Sequence, residues 1–243
     1  MAKLNPTFSA IHVDGSYENA ASVKGVASKT LLLLGIAILS GFLSVMYYNV
    51  LLGNPIIYFG VVIGALVCGF LGQINPNAAK VCSIIYAVCE GMMLGLLSFL
   101  FDAMIGGIVL TAVLVTVTIF GVMLFLYTSN IVRATNRFVR FMMGIGITLM
   151  VVSLVYFISF LINPTNILIM ALTNNRGLLL LVCGLVLLYG AFMLILDFEQ
   201  VNSMIHGGFD KRYEWLASLG LMITIVWIYV EVLRILAILT DRD

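Results

Sequence analysis

The sequence predicts an all-α, polytopic membrane protein built as a bundle of seven transmembrane helices. Three observations lead there. Hydrophobic residues make up 63% of the 243-residue chain and charged residues only 9%, against about 45–50% and about 25% in ordinary globular domains. Mean hydropathy is +1.17. The apolar residues also gather in seven runs, each near the length of about 20 residues that a helix needs to cross a bilayer core.

Each run is bounded by charge, Asn-Pro or glycine. The first, Thr30–Leu52, is entered through Lys24 and Lys29 and stopped by Gly53-Asn54-Pro55. The second, Ile56–Leu71, is short and ends at the polar turn around Pro76. Val81–Phe101 stops at Asp102, and Met104–Tyr127 at Thr128-Ser129-Asn130 with Arg133, Arg137 and Arg140 beyond. Phe141–Ile162 closes at Asn163-Pro164, and Ile167–Leu172 is too short to span and is expected at the interface. Leu178–Leu196 is expected to continue as helix to about Met204, and the last run is Trp215–Leu239. The expected organisation is thus a cytoplasmic polar tail over 1–29, a membrane domain over 30–239 and a short end over 240–243. The polar start of the chain reads as a soluble tail rather than a secretory signal.

Lysine and arginine set the orientation. Lys3, Lys24, Lys29, Lys80, Arg133, Arg137, Arg140, Lys211 and Arg212 fall on the side of the amino terminus, and only Arg176 and Arg242 on the other. That asymmetry predicts a cytoplasmic amino terminus. Tyr47, Tyr48, Tyr58, Tyr127, Tyr213 and Trp215 fall at the expected interfaces. The net charge of +1 offers no footprint for nucleic acid. Cys68, Cys82, Cys89 and Cys183 lie inside apolar runs with no C-x-x-C spacing and are expected to be inert packing thiols. No enzyme is expected, and no cofactor. H-E-x-x-H and G-x-S-x-G are missing, both histidines (His12 and His206) lie outside the spans, and Asp197 is the sole aspartate deep in one.

Charges inside the runs are the candidate functional residues, because an ionisable group in hydrocarbon is costly and needs a partner. Glu90 is the tenth residue of its span, Asp197 lies near the end of the sixth run, and Glu231 and Arg234 lie in the last. Each has a packing reading as well. Glu231 and Arg234 are i,i+3 neighbours able to neutralise each other; Asp197 can be a solvated helix end; Glu90 can be a hydrogen-bonded packing residue beside the closely spaced Gly91 and Gly95. Gly60 and Gly64 read as packing glycines. Three carboxylates in separate spans nonetheless require a shared proton or a cation, and carboxylate oxygens are hard ligands that suit calcium.

Three stretches carry a resemblance. Tyr86–Ser98 with Glu90-Gly91 and Leu94-Gly95, Leu196-Asp197-Phe198-Glu199-Gln200, and Glu214-Trp215 through Trp227-Ile228-Tyr229-Val230-Glu231-Val232-Leu233-Arg234 resemble the transmembrane Bax inhibitor motif family, in particular its bacterial Bax inhibitor-1-like branch. The resemblance implies a seven-helix bundle with the last helix central, sited in a bacterial cytoplasmic membrane. It also implies a pH-sensitive calcium leak, gated by a carboxylate pair between the sixth and seventh helices. Carried across, that pair is Asp197 and Glu231, which would serve as gate and as calcium ligands, with Glu90 as a further acid and Arg234 in support. The sequence departs from the pattern in having Glu231 where those members have aspartate. The two acids are also further apart in sequence, and the second span lacks the family's basic residue. Family members are linked as well to cell-death suppression and membrane-protein quality control, so a non-transporting regulator that contacts other membrane proteins through its helices is the alternative. Depth gives a further expectation. Glu231 lies about 24 Å up its helix from Trp215 and Asp197 about 10 Å from the end of an extended sixth helix. The two meet only if the last helix begins with an extramembrane turn over Lys211–Glu214, and otherwise Glu90 is the nearer partner for Glu231.

Overall fold

Serine and asparagine side chains decide where the helices begin. The computed structural model describes residues 20–132, 134–163 and 175–240; the first 19 residues, Arg133, the Ile167–Leu172 segment and residues 241–243 lie outside the described residues. Ser22 accepts from the amide of Gly25 and starts α1 (Val23–Met46), two turns ahead of the apolar run. The chain leaves helical geometry at Tyr47, and the rest of that run forms the short α2 (Tyr48–Gly53). Asn54 caps α3 (Pro55–Ile74), whose first residue is the proline favoured there. Because α3 runs on to Ile74, the second span reaches full membrane length. Then come α4 (Ala79–Met104), α5 (Ile108–Thr128), α6 (Asn136–Ile162), α7 (Arg176–His206) and α8 (Arg212–Thr240). Turns at Gly107 and Gly208 need positive φ, 84° and 66°, which glycine adopts without strain.

Seven of these helices are long and apolar enough to cross a membrane, and the protein is an integral multi-pass membrane protein. Large apolar side chains such as Leu31, Phe42, Ile56, Phe70, Leu110 and Ile147 point outward, as a lipid-facing surface requires. Hydroxyls inside the spans return to their own helix: Thr30 to the carbonyl of Val26, Thr116 to that of Ala112, Ser44 to that of Gly41. In hydrocarbon no polar group can turn to water.

The last helix is central. α8 has the largest buried share of the seven spans, 44% of its apolar window, and it touches α1, α3, α4, α5 and α7. Leu219, Met222, Ile228 and Leu233 are sealed within it. Its polar contacts fix the register on each side. Ser83 of α4 donates to the carbonyl of Trp215 at 3.4 Å and Ser98 pairs with Tyr229 at 2.7 Å, so α4 and α8 run parallel. Tyr189 stacks edge-on against Trp227, and Arg176 donates to the carbonyls of Ile238 and Leu239, so α7 and α8 run antiparallel. By contrast, among the described residues α6 packs chiefly on α7, through Phe138–Phe192 and Gly146–Tyr189, and buries Met142 alone.

At the start of α8 a single carboxylate ties three segments together. Glu214 is 2% exposed. One oxygen accepts from the amide (2.8 Å) and hydroxyl (3.2 Å) of Ser22, and the other pairs with the ammonium of Lys29. Ser218, one turn on, donates to the carbonyl of Val26 at 2.9 Å. The amide of Ala21 bonds to the carbonyl of Phe209, and Ala20 bridges to Asp210. The Asp210 carboxyl accepts the first amide of α8 and the Arg212 guanidinium, which hold it below the usual carboxylate range. Residues 20–22 are therefore a short strap across the α7–α8 turn.

Glycines let α1 and α4 close. A Cβ on Gly91 would stand 2.3 Å from the carbonyl oxygen of Ala37, and one on Gly95 2.3 Å from that of Gly41. Gly64 sits against the thiol of Cys89 and Gly72 against Cys82, whereas Gly60 faces open space. The four cysteines are free thiols. Overpacking a site like Gly95 costs about 1–3 kcal/mol, while alanine in an open helix position gains up to about 1 kcal/mol. Gly95→Ala is therefore expected to lower the thermal midpoint in detergent, and Gly121→Ala, where no atom of the described residues lies within 4 Å, to leave it unchanged or raise it.

Candidate functional site

The four intramembrane charges all lie on or beside the central helix, at two levels. Asp197 is on α7, and its carboxyl faces Thr224 of α8. Its Oδ2 is buried with no hydrogen-bond partner among the described residues. The Thr224 hydroxyl stands between this carboxyl, to which it can donate, and the carbonyl of Gly220 at 3.3 Å.

Glu231 lies seven residues further along α8, about 10 Å up the axis at 1.5 Å per residue. It is 4% exposed. Its Oε1 accepts from Arg234 at 2.8 Å, and its Oε2 is buried without a partner among the described residues. Trp227 on the preceding turn and Cys183 of α7 stand beside the pair. Arg234 is half exposed, and its guanidinium turns back one helical turn to the Glu231 carboxylate. The packing reading of Glu231 and Arg234 is thus realised for one oxygen and leaves the other unsatisfied.

Glu90 is accompanied by Tyr86, one turn earlier on α4. The α4–α8 register set by Ser83–Trp215 and Ser98–Tyr229 puts Glu90 level with Met222. Glu90 and Asp197 therefore lie at nearly one depth on different sides of α8, with Glu231 about two turns beyond both. The structure does not bring Asp197 and Glu231 together. The antiparallel register pairs Glu231 with the neighbourhood of Cys183, and α8 is already helical from Arg212, so its first turn is spent without shifting the acids into contact. Glu90 is no closer to Glu231, about nine residues or ~13 Å away along the axis.

A resident calcium ion takes 6–8 oxygens. Among the described residues no three histidine, cysteine, aspartate or glutamate side chains converge, so Asp197 and Glu231 do not form one calcium cage. Each can offer one carboxylate to a passing ion or proton. One buried acid was missed in the sequence: Glu214, which reads there as part of a polar flank. Its partners Ser22 and Lys29 lie 192 and 185 residues away, a pairing that a single sequence does not display.

Removing one partner of a buried ion pair leaves an uncompensated charge; the half-exposed arginine reduces that penalty to about 1–2 kcal/mol. Arg234→Met is expected to destabilise the protein by that amount in detergent unfolding. Adding Glu231→Gln to it is expected to recover most of the loss, since the neutral amide no longer needs a counter-ion.

Two comparisons bear on identity. No curated protein matches the chain. The Bax inhibitor 1 like family profile matches residues 5–241, which takes in all seven spans, Glu90, Asp197, Glu214 and the Glu231–Arg234 pair, and the chain belongs to the Bax inhibitor 1 like family.

Proposed function

We propose that this chain is a pH-sensitive leak path for cations, with calcium as its cargo, and that Asp197 and Glu231 are single-carboxylate stations along α7 and α8. One observation carries the reading: each acid keeps a buried oxygen without a hydrogen-bond partner among the described residues. A buried, unsatisfied carboxylate is costly, and a proton or a cation removes the cost. Both compete for the same oxygens, so passage and pH are coupled. Glu90, at the depth of Asp197 but behind α8, serves as a reserve acid. In this reading the chain is not an enzyme. It sits in a bacterial cytoplasmic membrane with the amino terminus in the cytoplasm, which agrees with the nine cations on that side.

A second reading, a regulator that binds other membrane proteins, draws support from α6, which among the described residues packs chiefly on α7 and buries a single residue. Purified protein in liposomes loaded with a calcium dye separates the two. The leak path predicts calcium entry that varies with pH, changed by about tenfold in Asp197→Asn and in Glu231→Gln, with the pH dependence flattened in both. Absence of flux in the parent protein, or equal flux in parent and variants, favours the regulator.

A further inference from the structure

Between Asp197 and the amino-terminal face lies an apolar plug. Phe198, Val201 and Met204 of α7 and Ala217 of α8 close it from one side, and Ala21 of the strap and Val26 of α1 close it from the other; all are buried in one continuous cluster. Ala21 is bonded to the carbonyl of Phe209 and Val26 to the hydroxyl of Ser218, and Glu214 binds the residues around them. Ser22, between them, gives both its amide and its hydroxyl to that carboxylate, and Lys29 completes the set one turn beyond Val26. Gly25 has no room for a side chain, since a Cβ there would stand 2.1 Å from the Glu214 oxygen. Lys29 is 20% exposed and its ammonium lies 5.4 Å from the centre of the Trp215 ring, with the Lys80 ammonium 6.0 Å from the same ring.

We propose that Ser22, Lys29 and Glu214 are the latch of this plug: while they hold, Ala21 and Val26 bar the way from the amino-terminal face to Asp197, and when they part α1 swings away from α8 and the face opens. Two states follow from the chemistry. A carboxylate that is 2% exposed is stable with its donors and unstable without them, so a partly loosened arrangement is disfavoured and the latch either holds or hydrates. What passes once the face opens rests on the cation-path reading; the movement does not.

The test uses the full chain in liposomes, with spin labels at Ala27 and Leu216 in a background where the four cysteines are replaced by serine. A narrow label separation is expected in the parent and in Lys29→Arg, which keeps a cation for Glu214. Glu214→Gln and Lys29→Met are expected to lengthen and broaden it by about one helical turn, ~5 Å, and to raise calcium entry by about tenfold. Folded Glu214→Gln and Lys29→Met proteins with the parent's label separation would overturn the latch, whatever their flux. Should Glu214→Gln fail to fold, Lys29→Gln, which retains a neutral donor, is read in the same way. A label separation that moves while no variant and no parent passes calcium sustains the latch and rejects the cation path.

Discussion

A helix through the middle of a membrane bundle has neither water nor lipid headgroups to satisfy its polar atoms, so those its own backbone does not serve must find partners on the surrounding helices. α8 is that helix here, and the bundle is arranged around its needs. Ser83 and Ser98 of α4 serve the carbonyl of Trp215 and the hydroxyl of Tyr229. Arg176 of α7 serves its last carbonyls, and Ser22 and Lys29 serve Glu214 at its start. These contacts set the direction and register of α1, α4 and α7 relative to it. The two places among the described residues where a buried side-chain atom lacks a partner, Oδ2 of Asp197 and Oε2 of Glu231, are where function is most naturally sought, since natural cores leave few such atoms without a reason.

The geometry separates the acids rather than pairing them. An arrangement in which two carboxyls touch can share one proton between them. Two carboxyls about 10 Å apart on the same helix pair cannot, and each must be neutralised by itself. Glu231 has Arg234 on its own helix, a half-exposed counter-ion. Asp197 has the Thr224 hydroxyl beside it. The two acids are therefore unequal, the first beside a neutral hydroxyl and the second beside a guanidinium.

Much of this was legible in the sequence, and the remainder was hidden for identifiable reasons. Hydropathy located all seven spans, and the expected extension of the sixth run to about Met204 matches α7, which ends at His206. The start of α1 was misplaced because Ser22 is a cap whose partner, the amide of Gly25, lies in a stretch too polar to join an apolar run. The Gly91–Gly95 pair was visible as a packing face, but its partners Ala37 and Gly41 were not, and Gly60 resembled Gly64 while facing nothing. Whether Asp197 meets Glu231 depends on where α8 begins and how it is set against α7. That register is fixed by Arg176, Tyr189 and Trp227, none of which stands out by composition. Glu214 was the largest omission, for charge beside a tryptophan at a span's edge looks like an ordinary interfacial flank until the fold brings Lys29 to it.

The central claim is that Asp197 and Glu231 each hold a buried carboxyl oxygen that trades a proton for a cation. Infrared difference spectroscopy of the protein in lipid, with and without calcium, reads this directly from the carbonyl stretch of protonated carboxyl groups. The account predicts a calcium-sensitive band of that kind, diminished in Asp197→Asn and diminished separately in Glu231→Gln. A spectrum that calcium leaves unchanged, or a band that survives both substitutions intact, would contradict it.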